Sequence, residues 1–183
     1  MSMLPAVRIE FARYRRMVEL AVEQVDDADL PRRLDPDGNS IAILLGHLSG
    51  NLRSRFTEFL TSDGEKPWRR RDAEFEEHGR TRGELLAEWA EGWRCVDDAL
   101  AAVEAAGDGV FARGVVIRGV ALSVGEALLR SVAHVATHAG QIVLLARHWA
   151  GDRWRTLSIP RGGSGAYAAN PTLEKGHGPA AER

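Results

Sequence analysis

The segment VGEALLRSVAHVATHAGQIVLLARHW, residues 124–149, decides the fold of this chain. Its apolar residues recur every three or four positions, and the preceding Ser123 and following Gly151 are typical of the two ends of a helix. The segment therefore predicts a long amphipathic helix. Because His134 and His138 are four residues apart, both imidazole rings lie on one face of this helix, about one turn from each other.

Three earlier segments show the same helical period. They predict helices over residues 5–25, from residue 39 or 40 to residue 60, and over 81–105. Asn39 or Ser40 supplies the N-cap of the second helix, and Gly107 follows the third. The stretch VVIRGVALSV, residues 115–124, is rich in β-branched residues and predicts one or two short extended segments. We therefore predict an all-α four-helix bundle with long loops and a short extended segment before the last helix.

The chain length of 183 residues fits one domain. We assign the bundle to residues 1–162 and predict that the glycine-, alanine- and proline-rich segment 163–183 is a disordered tail. The charged run 65–77 mixes both signs, which is typical of a solvated loop. Such a loop is well placed to cap one end of the bundle.

Composition limits the classes of partner. The chain carries 24 basic and 26 acidic residues, with a net charge of -2 and a pI near 6.3. It therefore lacks the basic surface expected for binding nucleic acid or an anionic membrane, and small molecules or proteins are the expected partners. No stretch reaches the roughly 18 apolar residues that a membrane span needs. The one cysteine, Cys95, lies among apolar helical neighbours, which indicates a packed thiol and a reducing cytoplasm.

The histidines are the candidate metal ligands. A metal bound by His134 and His138 needs a third ligand from a facing helix, and His47 in the second helix is the natural candidate. Three imidazoles leave coordination positions open, as in catalytic sites, and nitrogen ligation is compatible with zinc, nickel, iron or copper. The alternative is that the histidine pair makes ordinary hydrogen bonds and that His47 is a core residue. HVATH has no glutamate after its first histidine, so the metalloprotease motif is absent.

Several polar residues are candidates for the surroundings of these histidines. The candidates to line a pocket are Asn51, Arg55, Arg130 and Gln141. Glu126 and Asn51 are candidates to bind the second ring nitrogen of a ligating histidine. Arg118 and Arg161 are cations of the kind that binds a substrate carboxylate, although surface salt bridges are the more common role.

A histidine in the second helix combined with HVATHAGQI, residues 134–142, resembles the DinB/YfiT-like superfamily of metal-binding four-helix bundles. Residues 39–76, the pair Gly92 and Trp93, and LSIPRG at 157–162 are similar to an uncharacterised subfamily of it. The resemblance implies that His47, His134 and His138 are the three metal ligands and that the protein forms a homodimer. Other branches of the superfamily use low-molecular-weight thiols for S-transfer or to isomerise maleylpyruvate.

The expected function is accordingly that of a metal-dependent, thiol-linked S-transferase or isomerase acting on a small electrophile. The metal would lower the pKa of a thiol cofactor so that its thiolate attacks the substrate. One alternative is a non-catalytic, homodimeric stress or metal-responsive interaction protein. A second alternative is a metal-dependent hydrolase, for which the sequence offers no clear general base.

Overall fold

A computed structural model of the protein describes residues 3–172. Four long helices dominate it: α1 is Leu4–Val22, α2 is Ile41–Phe56, α3 is Arg82–Ala105 and α4 is Val124–Ala150. Between α3 and α4, strands β1 (Gly114–Ile117) and β2 (Val120–Ser123) pair antiparallel. The mostly helical architecture and the extended segment before the last helix are thus confirmed.

Side-chain caps fix the starts of the helices. The Ser40 hydroxyl accepts the backbone N–H of Ile43, so Ser40 and not Asn39 is the N-cap of α2. Thr81 before α3 and Ser123 before α4 each form a capping box, in which the carboxylate three residues later bonds back to the cap. These local bonds place the starts of α3 and α4 where the sequence predicts them.

Two helix ends differ from the prediction. α1 ends at Val22, three residues before residue 25. α2 ends at Phe56 and not at residue 60, because Thr57 is extended and Glu58 has a positive φ of 51°. The backbone N–H groups of Thr61 and Ser62 both bond to the Glu58 carbonyl, which stabilises this turn.

The four long helices surround one hydrophobic core. α1 packs along α4 and α2 along α3, while α2 also contacts α4 and α1 contacts α3. The largest fully buried side chains include Trp93, Phe11, Phe56, Leu52 and Leu128. This arrangement brings α2 and α4, which carry the three candidate ligands, side by side.

The connection between α2 and α3 is anchored to the hairpin. Asp63 accepts the backbone N–H of Arg118 at 2.8 Å and that of Gly119 at 2.8 Å. The N–H of Gly64 donates to the carbonyl of Val116, also at 2.8 Å. The loop and the hairpin tip therefore form one connected wall.

The charged run 65–77 is not simply a solvated loop. The Arg69 side chain is only 2% exposed, and Lys66 is buried. Residues Asp72–Phe75 form a 3₁₀ helix that packs against α2. The prediction of full solvation is therefore wrong for this segment, because ion pairs and backbone carbonyls bind its charged groups inside the protein.

Within segment 163–183, predicted to be disordered, Ser164–Ala168 form a short helix, α5. The N–H of Tyr167 bonds to the carbonyl of Gly163 there, which gives the chain a regular turn. Residues 173–183 lie outside the described part of the chain. None of the helices within residues 3–172 combines the length and apolarity needed to cross a membrane.

Candidate metal centre

The three predicted histidines meet between α2 and α4. His47, His134 and His138 each offer one ring nitrogen, and these atoms all lie within 4.8 Å of one another. Nε2 of His47 is 3.2 Å from Nε2 of His134. The ring centroids are 5.2 Å apart for His47 and His134, 4.9 Å for His47 and His138, and 4.7 Å for His134 and His138. The chain thus brings together side chains that are distant in sequence.

Hydrogen bonds at Nδ1 determine which ring nitrogens of His47 and His138 are free to bind a metal. Nδ1 of His47 donates to Oε2 of Glu74 at 2.9 Å, and Nδ1 of His138 donates to Oε1 of Gln141 at 2.6 Å. Because an acceptor occupies Nδ1, each of these two rings has its Nε2 lone pair available. A metal-ligating histidine usually has such a partner on its other nitrogen.

Glu74 is held in place by Arg69. Nε and Nη2 of Arg69 donate to the two carboxylate oxygens of Glu74 at 2.7 Å and 2.8 Å, a bidentate pair. Burial alone raises the pKa of Glu74, but the hydrogen bonds and charges of Arg69 and His47 outweigh burial and lower it. Glu74 is therefore a carboxylate at neutral pH and accepts the hydrogen bond from Nδ1–H of His47.

Two glycines on α2 make room for the loop. A Cβ on Gly50 would lie 2.9 Å from the carboxyl carbon of Glu74, and one on Gly46 would lie 2.7 Å from the guanidinium carbon of Arg80. Both distances are well below ordinary contact, so only glycine leaves these side chains where they are. Gly46 and Gly50 lie one residue before and three residues after His47, and the bare backbone at Gly50 admits the carboxylate partner of His47.

The histidines of α4 are neutral at physiological pH. Burial lowers the pKa of His134 to about 3, with further lowering from the charges of His138 and His47. Burial also lowers the pKa of His138, although the hydrogen bond to Gln141 opposes this effect. Neutral imidazole is the form that binds a metal, so these rings need lose no proton to act as ligands.

One of the three separations between ligand nitrogens matches that of a zinc site. Two ligand nitrogens that each lie about 2.0–2.1 Å from a tetrahedral zinc ion are about 3.3–3.4 Å apart. The 3.2 Å separation of Nε2 in His47 and His134 is close to that value. Nδ1 of His134 is buried and has no hydrogen-bond partner within residues 3–172, so this ring differs from the other two in having no oxygen bonded to its second nitrogen.

A cavity of about 350 Å³ opens beside the three rings. Loop residues form one wall, and Phe75 lies over His47 with ring centroids 4.6 Å apart. Ile117 from the hairpin and Ser131 from α4 also line the cavity. An ion held by the three histidines would therefore face a space large enough for a small ligand.

A family model described as "Protein of unknown function (DUF1572)" matches residues 1–163. The chain belongs to the DUF1572 family. No curated protein and no solved structure matches it. Membership covers the whole helical core and all three histidines of this DUF1572 protein.

Three of the four predicted pocket residues line the cavity of the DUF1572 protein: Asn51, Arg55 and Arg130. Gln141 does not line it, and contacts the site only through His138. Arg118 is also in the cavity wall, where its Nε donates to Glu65 at 2.9 Å.

Other sequence-based candidates lie elsewhere. Glu126 is bound to Ser123 in the capping box of α4, so it is not a partner of a ligating histidine. Asn51 makes no hydrogen bond to any of the three rings. Arg161 is exposed and does not line the cavity. Cys95 is a buried free thiol that accepts a hydrogen bond from Thr57 Oγ1 at 3.8 Å, consistent with a packing role.

Sequence reasoning missed Glu74, Arg69 and Phe75. All three belong to the mixed-charge segment that was predicted to be solvated. The available signal was the pair of glycines around His47, because small residues beside a buried ligand leave space for a second polar group. Charge pattern alone gives no indication of which acid reaches the histidine.

Proposed function

We propose that His47, His134 and His138 of this protein bind one divalent metal ion in an open site, within a bundle of the DinB type. The observation that carries this proposal is the convergence of three imidazoles, two of them with Nδ1 bonded to an oxygen, at the edge of a cavity. Within residues 3–172, no cysteine, carboxylate or further histidine joins this group. A site with three protein ligands leaves room for an exogenous ligand.

We further propose that the protein uses this site as a thiol-linked S-transferase or isomerase on a small electrophile. The reaction class rests on the DinB-like resemblance, and the adjoining cavity supports it. When bound, the metal supplies a Lewis acid that lowers the pKa of a thiol. The chain's own contribution is to hold the His47 proton on Nδ1 through Glu74, and to exclude water with Phe75 and Ile117.

The structure offers less support for the alternative hydrolase. Such a reaction needs a general base beside the metal-bound water, and none of the described residues lining the cavity is an aspartate or glutamate. Both oxygens of Glu74 already accept hydrogen bonds from Arg69, and one also accepts from His47. The non-catalytic alternative would be favoured by a fourth protein ligand that closes the site.

Elemental analysis tests the metal proposal. The parent protein and the His47→Ala, His134→Ala and His138→Ala variants are resupplied with zinc, nickel or ferrous iron under reducing conditions. We expect about one equivalent in the parent and loss of binding in each variant. His148→Ala is the matched control, because this histidine lies on α4 but outside the triad. Equal metal content in all five proteins would falsify the site.

A thiol assay tests the reaction. Metal-loaded parent protein is incubated with glutathione, cysteine and other low-molecular-weight thiols against an electrophile panel, with His134→Ala as control. We expect thiol- and metal-dependent turnover in the parent. Full metal binding with no thiol binding and no turnover would remove the enzyme proposal and favour the non-catalytic alternative.

We also propose a homodimer, which rests on the same resemblance. Leu129 and Leu144 are 57% and 61% exposed on α4, and a second copy of the chain would cover them. Sedimentation equilibrium should show a dimer of the parent protein and a monomer of the Leu129→Asp, Leu144→Asp double variant. A monomeric parent would remove the proposal.

A further inference from the structure

The cavity beside the histidines is lined by an unusual number of cations. Five of its lining residues are arginines: Arg55, Arg69, Arg71, Arg118 and Arg130. No acidic residue within the described chain lines it. The protein as a whole has a net charge of -2, so this concentration of positive charge is local.

The nearby carboxylates do not balance these arginines. Glu65 Oε2 alone accepts from both Arg55 Nη1, at 3.0 Å, and Arg118 Nε, at 2.9 Å. Arg69 is paired with Glu74. Glu65 thus serves two guanidinium groups, while Asp63, another acid on the hairpin side, bonds to the backbone N–H groups of Arg118 and Gly119.

Two further arginines have little or no compensation. Arg71 forms an ion pair with its neighbour Asp72 at 3.3 Å, and its Cζ lies 5.1 Å from the centroid of the Phe75 ring. The Asp72 side chain is 100% exposed, where an ion pair contributes little. Arg130 on α4 makes no hydrogen bond or ion pair with any described residue. The five guanidinium groups therefore form ion pairs with three carboxylates, those of Glu65, Glu74 and Asp72.

A buried donor in the same wall also lacks an acceptor. The side chain of Arg69 is 2% exposed, and its Nη1 has no hydrogen-bond partner among residues 3–172. Buried charged donors are costly when unsatisfied. Because this atom has essentially no solvent-accessible surface, Arg69 adds positive charge to the cavity wall and not a direct contact with a ligand.

We propose that this cavity binds an oxyanion group, a carboxylate or a phosphate, of a small molecule, and that Arg130 and Arg71 are its principal contacts. The proposal deepens the proposed function and rests on it, since it names the class of substrate for the same site. Guanidinium groups bind such oxyanions through paired hydrogen bonds. Phe75 and Ile117 supply apolar surface in the same cavity.

Positioning follows from the two sets of residues. Arg130 lies one turn before His134 on α4, while Arg71 comes from the loop between α2 and α3. A substrate whose anionic group binds these two arginines lies in the same cavity as the histidines. The arginines thus select and orient the substrate by direct contact, and they are not metal ligands.

Calorimetric titration of the metal-free protein tests this proposal without any turnover. The probes are succinate and inorganic phosphate at low ionic strength, because salt screens such contacts. The proteins are the parent, Arg130→Gln and Arg71→Gln. The matched control is Arg147→Gln, which removes the same charge from an exposed position near the other end of α4. Circular dichroism verifies that each variant is folded.

We expect saturable binding of one probe to the parent, about tenfold weaker binding in Arg130→Gln and Arg71→Gln, and unchanged binding in Arg147→Gln. Preference for succinate or for phosphate identifies the substrate's anionic group. No binding to the parent, an equal loss in Arg147→Gln, or unchanged binding in both cavity variants would overturn the proposal.

Elemental analysis of the same proteins separates this proposal from the metal centre. Arg130→Gln and Arg71→Gln should retain the parent's metal content. Anion binding without metal uptake would refute the metal proposal alone, whereas metal uptake without anion binding would refute the anion site alone.

Discussion

Replacing Gly50 by alanine should weaken metal binding through a residue that touches no metal. The added Cβ would lie 2.9 Å from the carboxyl carbon of Glu74, whereas ordinary contact requires about 3.5 Å. The carboxylate must therefore move away from α2 by at least about 0.6 Å. A shift of that size directly away from Nδ1 of His47 would stretch their hydrogen bond from 2.9 Å to about 3.5 Å, where little of it remains.

The magnitude follows from two opposing effects. Loss of a hydrogen-bond partner behind a ligating histidine typically lowers metal affinity about 10–100-fold. Loss of a charge-assisted hydrogen bond costs about 1.5–3 kcal/mol of folding free energy, while alanine gains about 1 kcal/mol over glycine within a helix. Gly50→Ala should therefore bind metal much more weakly and yet lose no more than about 2 kcal/mol of stability.

Competition with a chromogenic chelator measures the metal affinity, and denaturant unfolding of the metal-free protein measures stability. Gly83→Ala in α3 is the matched control, since its added Cβ would meet only Thr81 Oγ1, at 4.0 Å. This control should retain the parent's affinity. Unchanged affinity in Gly50→Ala would show that the Glu74–His47 bond does not support the ligand, and our account of the site would then fail.

Three other perturbations test separate parts of the structure. Because the pKa of His134 is lowered from 6.5 to about 3 in the folded protein, this histidine is protonated at a higher pH in the unfolded chain than in the folded one. The metal-free protein should therefore lose stability as the pH falls below about 6.5, and thermal melts should show a shallower loss in His134→Gln; equal slopes would contradict the shift. Arg69→Leu removes the partner of a largely buried carboxylate and should cost about 3 kcal/mol or more in denaturant unfolding. Adding Glu74→Gln to that variant should recover part of the loss, and strictly additive losses would refute the pairing. Asp63→Ala should accelerate hydrogen exchange at the Arg118 amide, which donates to Asp63 at 2.8 Å, and an unchanged rate would show that this bond does not hold the hairpin.

The sequence predicts features that depend on local contacts. Ser123 and Glu126 are three residues apart, so the start of α4 is visible in the sequence. His134 and His138 are four residues apart in a helix, so the sequence also shows that they share a helix face. His47 required an assumption about tertiary packing, and the structure brings it to the pair.

Features that depend on irregular backbone were not predictable. The sequence around Thr57 and Glu58 continues a helical pattern, and only the contacts of the following loop explain the turn. The bond between Glu74 and His47 spans 27 residues through such a loop. Nothing in a run of mixed charges distinguishes the one carboxylate that reaches His47, because Arg69 and Gly50 determine its position in three dimensions.

The distribution of the ligands over two helices has a kinetic consequence. His134 and His138 are fixed relative to each other by α4, while His47 is separated from His134 by 87 residues. An ion shared by all three would act as a removable cross-link between α2 and α4. These helices could separate only after the ion leaves, so the ion should slow unfolding while hardly changing the rate of refolding. Removal of the ion by a chelator would then shorten the lifetime of the folded protein in denaturant.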